Sequence, residues 1–187
     1  NPASVAANDA NADDAAKDIA SAILKKSTKI FAEMINLKDK VEGSTALSLA
    51  VNLVVEHPNL VDFLLDRKAD PLIIDNSNRA PIHFACFRGH VHCTTSLITS
   101  FANVDAQDGN GRTPLLISAI QGSVPLVFLL LQHGARHDIS DNNGWLPLSY
   151  SLMPLKSEGD QELRVTAEKC ADLIGSLKMN KFIDAYP

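Results

Sequence analysis

The densest group of reactive side chains is CFRGHVHC at 86 to 93, where two thiols and two imidazoles fall within eight residues. Thiolate and imidazole are the usual donors to zinc, so this stretch is the first candidate for metal chemistry. Its spacing does not match a standard structural zinc site, and no bound metal is expected. His83, three residues upstream, would suit a general base if its ring were free. Beyond these side chains the chain has no Gly-rich phosphate loop, no nucleophile elbow and no paired acid and base motif. No catalytic residue and no cofactor are expected.

The elements that carry these residues recur. GSTALSLAV at 43 to 51, NRAPIHFAC at 78 to 86, GRTPLLISA at 111 to 119 and GWLPLSYSL at 144 to 152 share a turn position at Thr45, Ala80, Thr113 and Leu146, spaced 35, 33 and 33 residues apart. A period of this size belongs to a small supersecondary unit stacked on copies of itself. Each of the first three copies is followed by a second apolar run: NLVDFLLDRKAD, VHCTTSLITSFAN and VPLVFLLLQHGAR. In these runs apolar residues return three and four apart, as on a helix buried along one stripe. Pro81, Pro114 and Pro147 suit a first helical turn, where a missing amide hydrogen costs nothing, and Thr45 and Thr113 can cap that turn. Gly111, Gly144 and Asn78 suit a left-handed turn residue, while Gly89, Gly122 and Gly134 suit helix ends. Repeat one has two extra residues within VNLVVEHPN, so its first helix or the turn after it should be longer.

Thr113-Pro114-Leu115, Gly89-His90, Gly122, the LLL at 129 to 131, Gly134-Ala135 and the Asp-x-x-Gly steps at Asp108 and Asp141 occur in an order that resembles the ankyrin family, strongly over 43 to 153. The resemblance implies an all-α solenoid of stacked helix-turn-helix units with short hairpin-like loops, and a module that binds another protein. It also makes His83 the His of the family's TPLH element, a structural residue that ties neighbouring turns, and makes Gly89-His90 an ordinary inter-helix turn. The first repeat running into NLVDFLLDRKADP is similar to the ankyrin segment of some Arf GTPase-activating proteins, and the alternative reading is the non-catalytic ankyrin segment of such a larger enzyme.

In a stack of this kind the positions without structural duty can carry binding chemistry. One such row at the turn is Ser44, Arg79, Arg112 and Trp145; another, on the first helix, is Asn52, Phe87, Ile120 and Met153, with Arg88 and Gln121 beside it. The expected partner-binding set is therefore Arg79, Phe87, Arg88, Arg112, Ile120, Gln121, Trp145 and Met153, since apolar groups edged by Arg and Trp have the composition of an interface core. The competing reading is that Phe87, Ile120 and Met153 pack between adjacent first helices and that Trp145 covers the C-terminal cap.

Composition bounds the rest. The 187 residues carry a formal net charge of -5 and only 5% aromatic residues, which excludes the basic footprint of a nucleic-acid binder and favours closely packed small helices. Cys86, Cys93 and Cys170 form no disulfide framework, which fits a reducing compartment, the cytoplasm with the nucleus as an alternative. No apolar run is long enough to insert in a membrane, and a monomer is expected. The start at Asn1 rather than Met suits a segment of a longer protein. Residues 1–14 are read as a disordered linker or tail, 15–42 as an N-terminal helical cap, 43–153 as four repeats, and 154–187 as a C-terminal helical cap with a polar insertion.

Overall fold

The computed structural model describes residues 26, 29–30, 33–152, 165 and 168–175. Seven helices follow in order: α1 (Ala46–Val51), α2 (Pro58–Asp66), α3 (Pro81–Arg88), α4 (Val91–Thr99), α5 (Pro114–Ile120), α6 (Val124–Gln132) and α7 (Pro147–Ser151). Residues 168–175 are also helical, and no described residue lies in a strand. Helices α1, α3, α5 and α7 pack side by side as an inner layer, and α2, α4 and α6 form an outer layer behind them.

The inner helices begin where the local chemistry sets them. Thr45 and Thr113 accept the amide hydrogens of Ser48 and Leu116, satisfying donors that a helix start leaves open. Pro occupies the first position of α3, α5 and α7. Ala80 has no side chain to cap α3, and there the ring of His83 reaches back to its amide instead. The two layers differ in burial because they differ in neighbours. An inner helix has another on each side and the outer layer behind, so Pro81 through Cys86 and Pro114 through Ala119 are all buried. An outer helix buries one stripe only: Cys93, Thr94 and Leu97 in α4, Leu126, Val127 and Leu130 in α6. The apolar residues of these stripes join Leu47, Val51, Ile82 and Leu115 in one continuous core, which Ile35, Cys170 and Ile174 extend at the two ends. Among the described residues no buried side-chain nitrogen or oxygen lacks a partner.

The two extra residues of the first repeat enter the turn. Helix α1 is shorter than α3 and α5, and residues 52–57 separate it from α2, where 121–123 suffice in the third repeat. The N-terminal cap expected over 15–42 is helical at 33–35 and not at 36–42. The Asn36 side chain instead bonds the Lys68 carbonyl and the Asp70 amide of the next repeat, and Asp39 draws in the amides of Val41, Glu42 and Ser44. The tail at 1–14, most of the upstream apolar pattern and the polar insertion after Leu152 lie outside the described residues.

Candidate binding cleft

The loops that lead into α3, α5 and α7 are each folded around a buried aspartate, Asp75, Asp108 and Asp141. Asp75 Oδ1 accepts the amides of Ser77 and Arg79, both at 2.8 Å, and Oδ2 accepts Nε–H of Arg79 at 2.7 Å. One repeat later, Asp108 Oδ1 accepts the amides of Asn110 and Arg112, and Oδ2 takes both Nε–H and Nη2–H of Arg112 at 2.9 and 2.8 Å. The chain closes each loop through a left-handed residue, Asn78 at φ 58° and Gly111 at φ 77°. At Gly111 the glycine is required twice, since a Cβ there would also stand 2.8 Å from the backbone nitrogen of Asn142. Burial pulls the Asp108 carboxyl upward, but its bonds to the Arg112 side chain and to the Arg112 and Asn110 amides outweigh burial and hold it below the usual carboxylate range.

The consequence is that Arg79 and Arg112 are fixed at the loop bases, beside the inner helices. The guanidinium of Arg79 lies over the Phe84 ring, 4.7 Å from its centre. At the other end of α3, Arg88 donates Nε–H to Asn52 Oδ1 at 3.0 Å and approaches the Phe87 ring to 5.8 Å. Between these groups is a cleft of about 260 Å³. Arg79, Arg112 and Asp108 line it from the loops, Phe87 and Arg88 from α3, Ile117 and Ile120 from α5, and Asn52 and Gln121 from the residues that end α1 and α5. Phe87 is 55% exposed and Ile120 41%, so neither is consumed by packing between helices.

Six of the eight expected binding residues thus line one cleft. Trp145 does not. It stands at the Arg79 and Arg112 position of the fourth repeat, 41% exposed, its ring 6.0 Å from that of Tyr150 and tilted by 48°. Met153 lies outside the described residues. With Trp145 in place of an arginine, Asp141 loses the guanidinium, and Tyr150 O–H donates to its Oδ2 at 2.8 Å. The Asp-x-x-Gly steps mark Asp108 and Asp141 in the sequence, but not Asp75, whose loop has Asn78 in place of the glycine, and not Tyr150. The available signal was an Asp at 75, 108 and 141, each four residues before the variable position, with Tyr appearing where Trp displaces Arg.

The side chains that first suggested catalysis are occupied. Nδ1 of His83 accepts the Ala80 amide at 3.0 Å, so the proton resides on Nε2, which donates to the Ala106 carbonyl of the next repeat at 3.0 Å. Burial lowers the pKa of this ring and keeps it neutral. His90 Nδ1 lies 3.2 Å from the Val51 carbonyl. Cys86 and Cys93 are both buried; burial pushes each thiol up to about 12, and the Glu56 charge adds to this at Cys93. Among the described residues, no three of His, Cys, Asp and Glu gather as a metal site.

Stacked helical pairs joined by aspartate-centred loops define a helical-repeat solenoid. A family model described as ankyrin repeats (3 copies) matches residues 5–108 and 82–157, and the chain belongs to the ankyrin-repeat family. Ankyrin repeats are generally protein-interaction modules. Among the described residues no helix is long and apolar enough to cross a membrane.

Proposed function

We propose that this chain is a scaffold or adaptor segment that binds a partner protein at the cleft between the loops and the inner helices, and that it catalyses no reaction itself. The observation that carries this reading is the convergence of Arg79, Phe87, Arg88, Arg112, Ile120 and Gln121, drawn from two neighbouring repeats, on one cleft. Exposed apolar groups beside arginines form the kind of anchor cluster that dominates interface energy. Trp145 and Met153 would extend the surface toward the fourth repeat. The segments flanking the repeats act as caps, a reading supported by the burial of Ile35 and Ile174 in the common core. The segment acts as a monomer in the cytoplasm, with the nucleus as the alternative compartment.

Crosslinking coupled to mass spectrometry, with Phe87→Ala and Trp145→Ala variants, tests the assignment. Phe87→Ala should melt like the parent and lose the partner crosslinks around residues 79–121. If the crosslinks map to α2, α4 and α6, or if the folded variants bind undiminished, the cleft is not the site. The reading as part of a larger enzyme, such as an Arf GTPase-activating protein, rests mainly on the first repeat running into NLVDFLLDRKADP; a CxxC zinc pattern upstream in a longer parent sequence would support it.

A further inference from the structure

Resting on that binding reading, we infer that the cleft takes an extended segment of the partner in which one carboxylate side chain stands next to an apolar one. The walls carry the guanidinium groups of Arg79, Arg88 and Arg112, on a chain whose net charge is -5. Two of these positive charges are matched from below by the buried carboxylates of Asp75 and Asp108. One positive charge is left over. Hydrogen-bond donors are left over as well: Arg79 commits only Nε to Asp75, and Arg88 only Nε to Asn52, so the terminal nitrogens of both have no hydrogen-bond partner among the described residues.

A planar guanidinium edge with two parallel N–H groups is the natural complement of a carboxylate. A single carboxylate also matches the single surplus charge, whereas a phosphate dianion would need two. The apolar half of the motif is set by Phe87 and Ile120, which stay exposed on the cleft floor. At about 260 Å³ the cleft is smaller than the usual site for a drug-sized molecule and suits one or two side chains of a longer ligand.

The test is a selection from a random peptide library displayed on phage, against the whole chain. Synthetic versions of the recovered peptides follow, with the acid kept, changed to its amide, or replaced by phosphoserine. Affinities are read by fluorescence anisotropy at low and high salt, with Arg88→Gln and Phe87→Ala compared after melting controls. Arg79 and Arg112 are left intact because they hold buried aspartates. The acid should bind about tenfold tighter than the amide, the advantage should shrink in Arg88→Gln and at high salt, and Phe87→Ala should weaken both peptides. If acid and amide bind alike while Phe87→Ala still weakens them, the carboxylate assignment fails and the cleft reading stands. A phosphoserine peptide that binds about tenfold tighter than the acid makes the occupant a dianion and overturns the inference. A selection yielding no peptide sensitive to Phe87→Ala removes both readings.

Discussion

At the ends of the outer helices, Lys68 and Phe101 adopt φ 69° and 66° at the position where the third repeat has Gly134 at φ 80°. A side chain in that conformation strains the backbone by about 1–2 kcal/mol. Phe101 recovers nothing by packing, since it is 88% exposed. Phe101→Gly should therefore stabilise the chain by about 0.5–1 kcal/mol, after allowing for the extra freedom glycine has when unfolded, read as a higher urea midpoint. His83 makes a second prediction. Its folded pKa lies below the unfolded value of about 6.5. The unfolded chain then takes up a proton that the folded one refuses, and stability falls as the pH drops below about 6.5. Urea midpoints between pH 7.5 and 5 should show this decline, and His83→Gln should flatten it. The prolines, the capping threonines and the turn glycines were legible in the sequence because each acts through its own backbone. The bond from Tyr150 to Asp141 was not, because it compensates for a third residue, Trp145.

The helices show where element-level reading holds and where it stops. Periodicity separates the outer helices, amphipathic and half solvated, from inner helices such as α3 and α5, which are buried on nearly all sides. It overran upstream of residue 40, because helical spacing in the sequence carries no information about Asn36 and Asp39, whose bonds draw the chain into a loop. The two kinds of helix start predict different responses. Thr113→Ala removes the cap of α5 and should cost about 1 kcal/mol, whereas Ala80 already starts α3 without a side-chain cap. Tyr150→Phe should leave Asp141 Oδ2 with only a 3.5 Å contact from Asn143 and lower stability by about 1 kcal/mol, or 2–4 °C in melting temperature.

For the whole molecule, the period of 33 was enough to read the fold, since a unit of that size buries its faces only by stacking. The cleft was only half legible. Its residues could be picked as positions free of structural duty, but their meeting depends on Arg79 and Phe87 of one repeat lying beside Arg112 and Ile120 of the next. The Trp145 position shares the row in sequence without sharing the cleft in space. A stack held by nearest neighbours should also protect its amides from exchange most strongly in α3 and α5, with protection falling toward Ile35 and Ile174; uniform protection would contradict this picture. The loop contacts along the stack are unequal, and that inequality has a mechanical meaning. Asn76 ties the second loop to the first through both backbone and side chain, and Asn142 ties the fourth to the third in the same way. Gly109, where a Cβ would stand 2.9 Å from the Ser77 carbonyl, leaves the second and third loops joined at their tips by one backbone bond. The cleft spans that junction. A guest that displaces the rim there breaks one backbone bond between the loop tips, while Arg79 and Arg112 stay anchored to their aspartates at the loop bases.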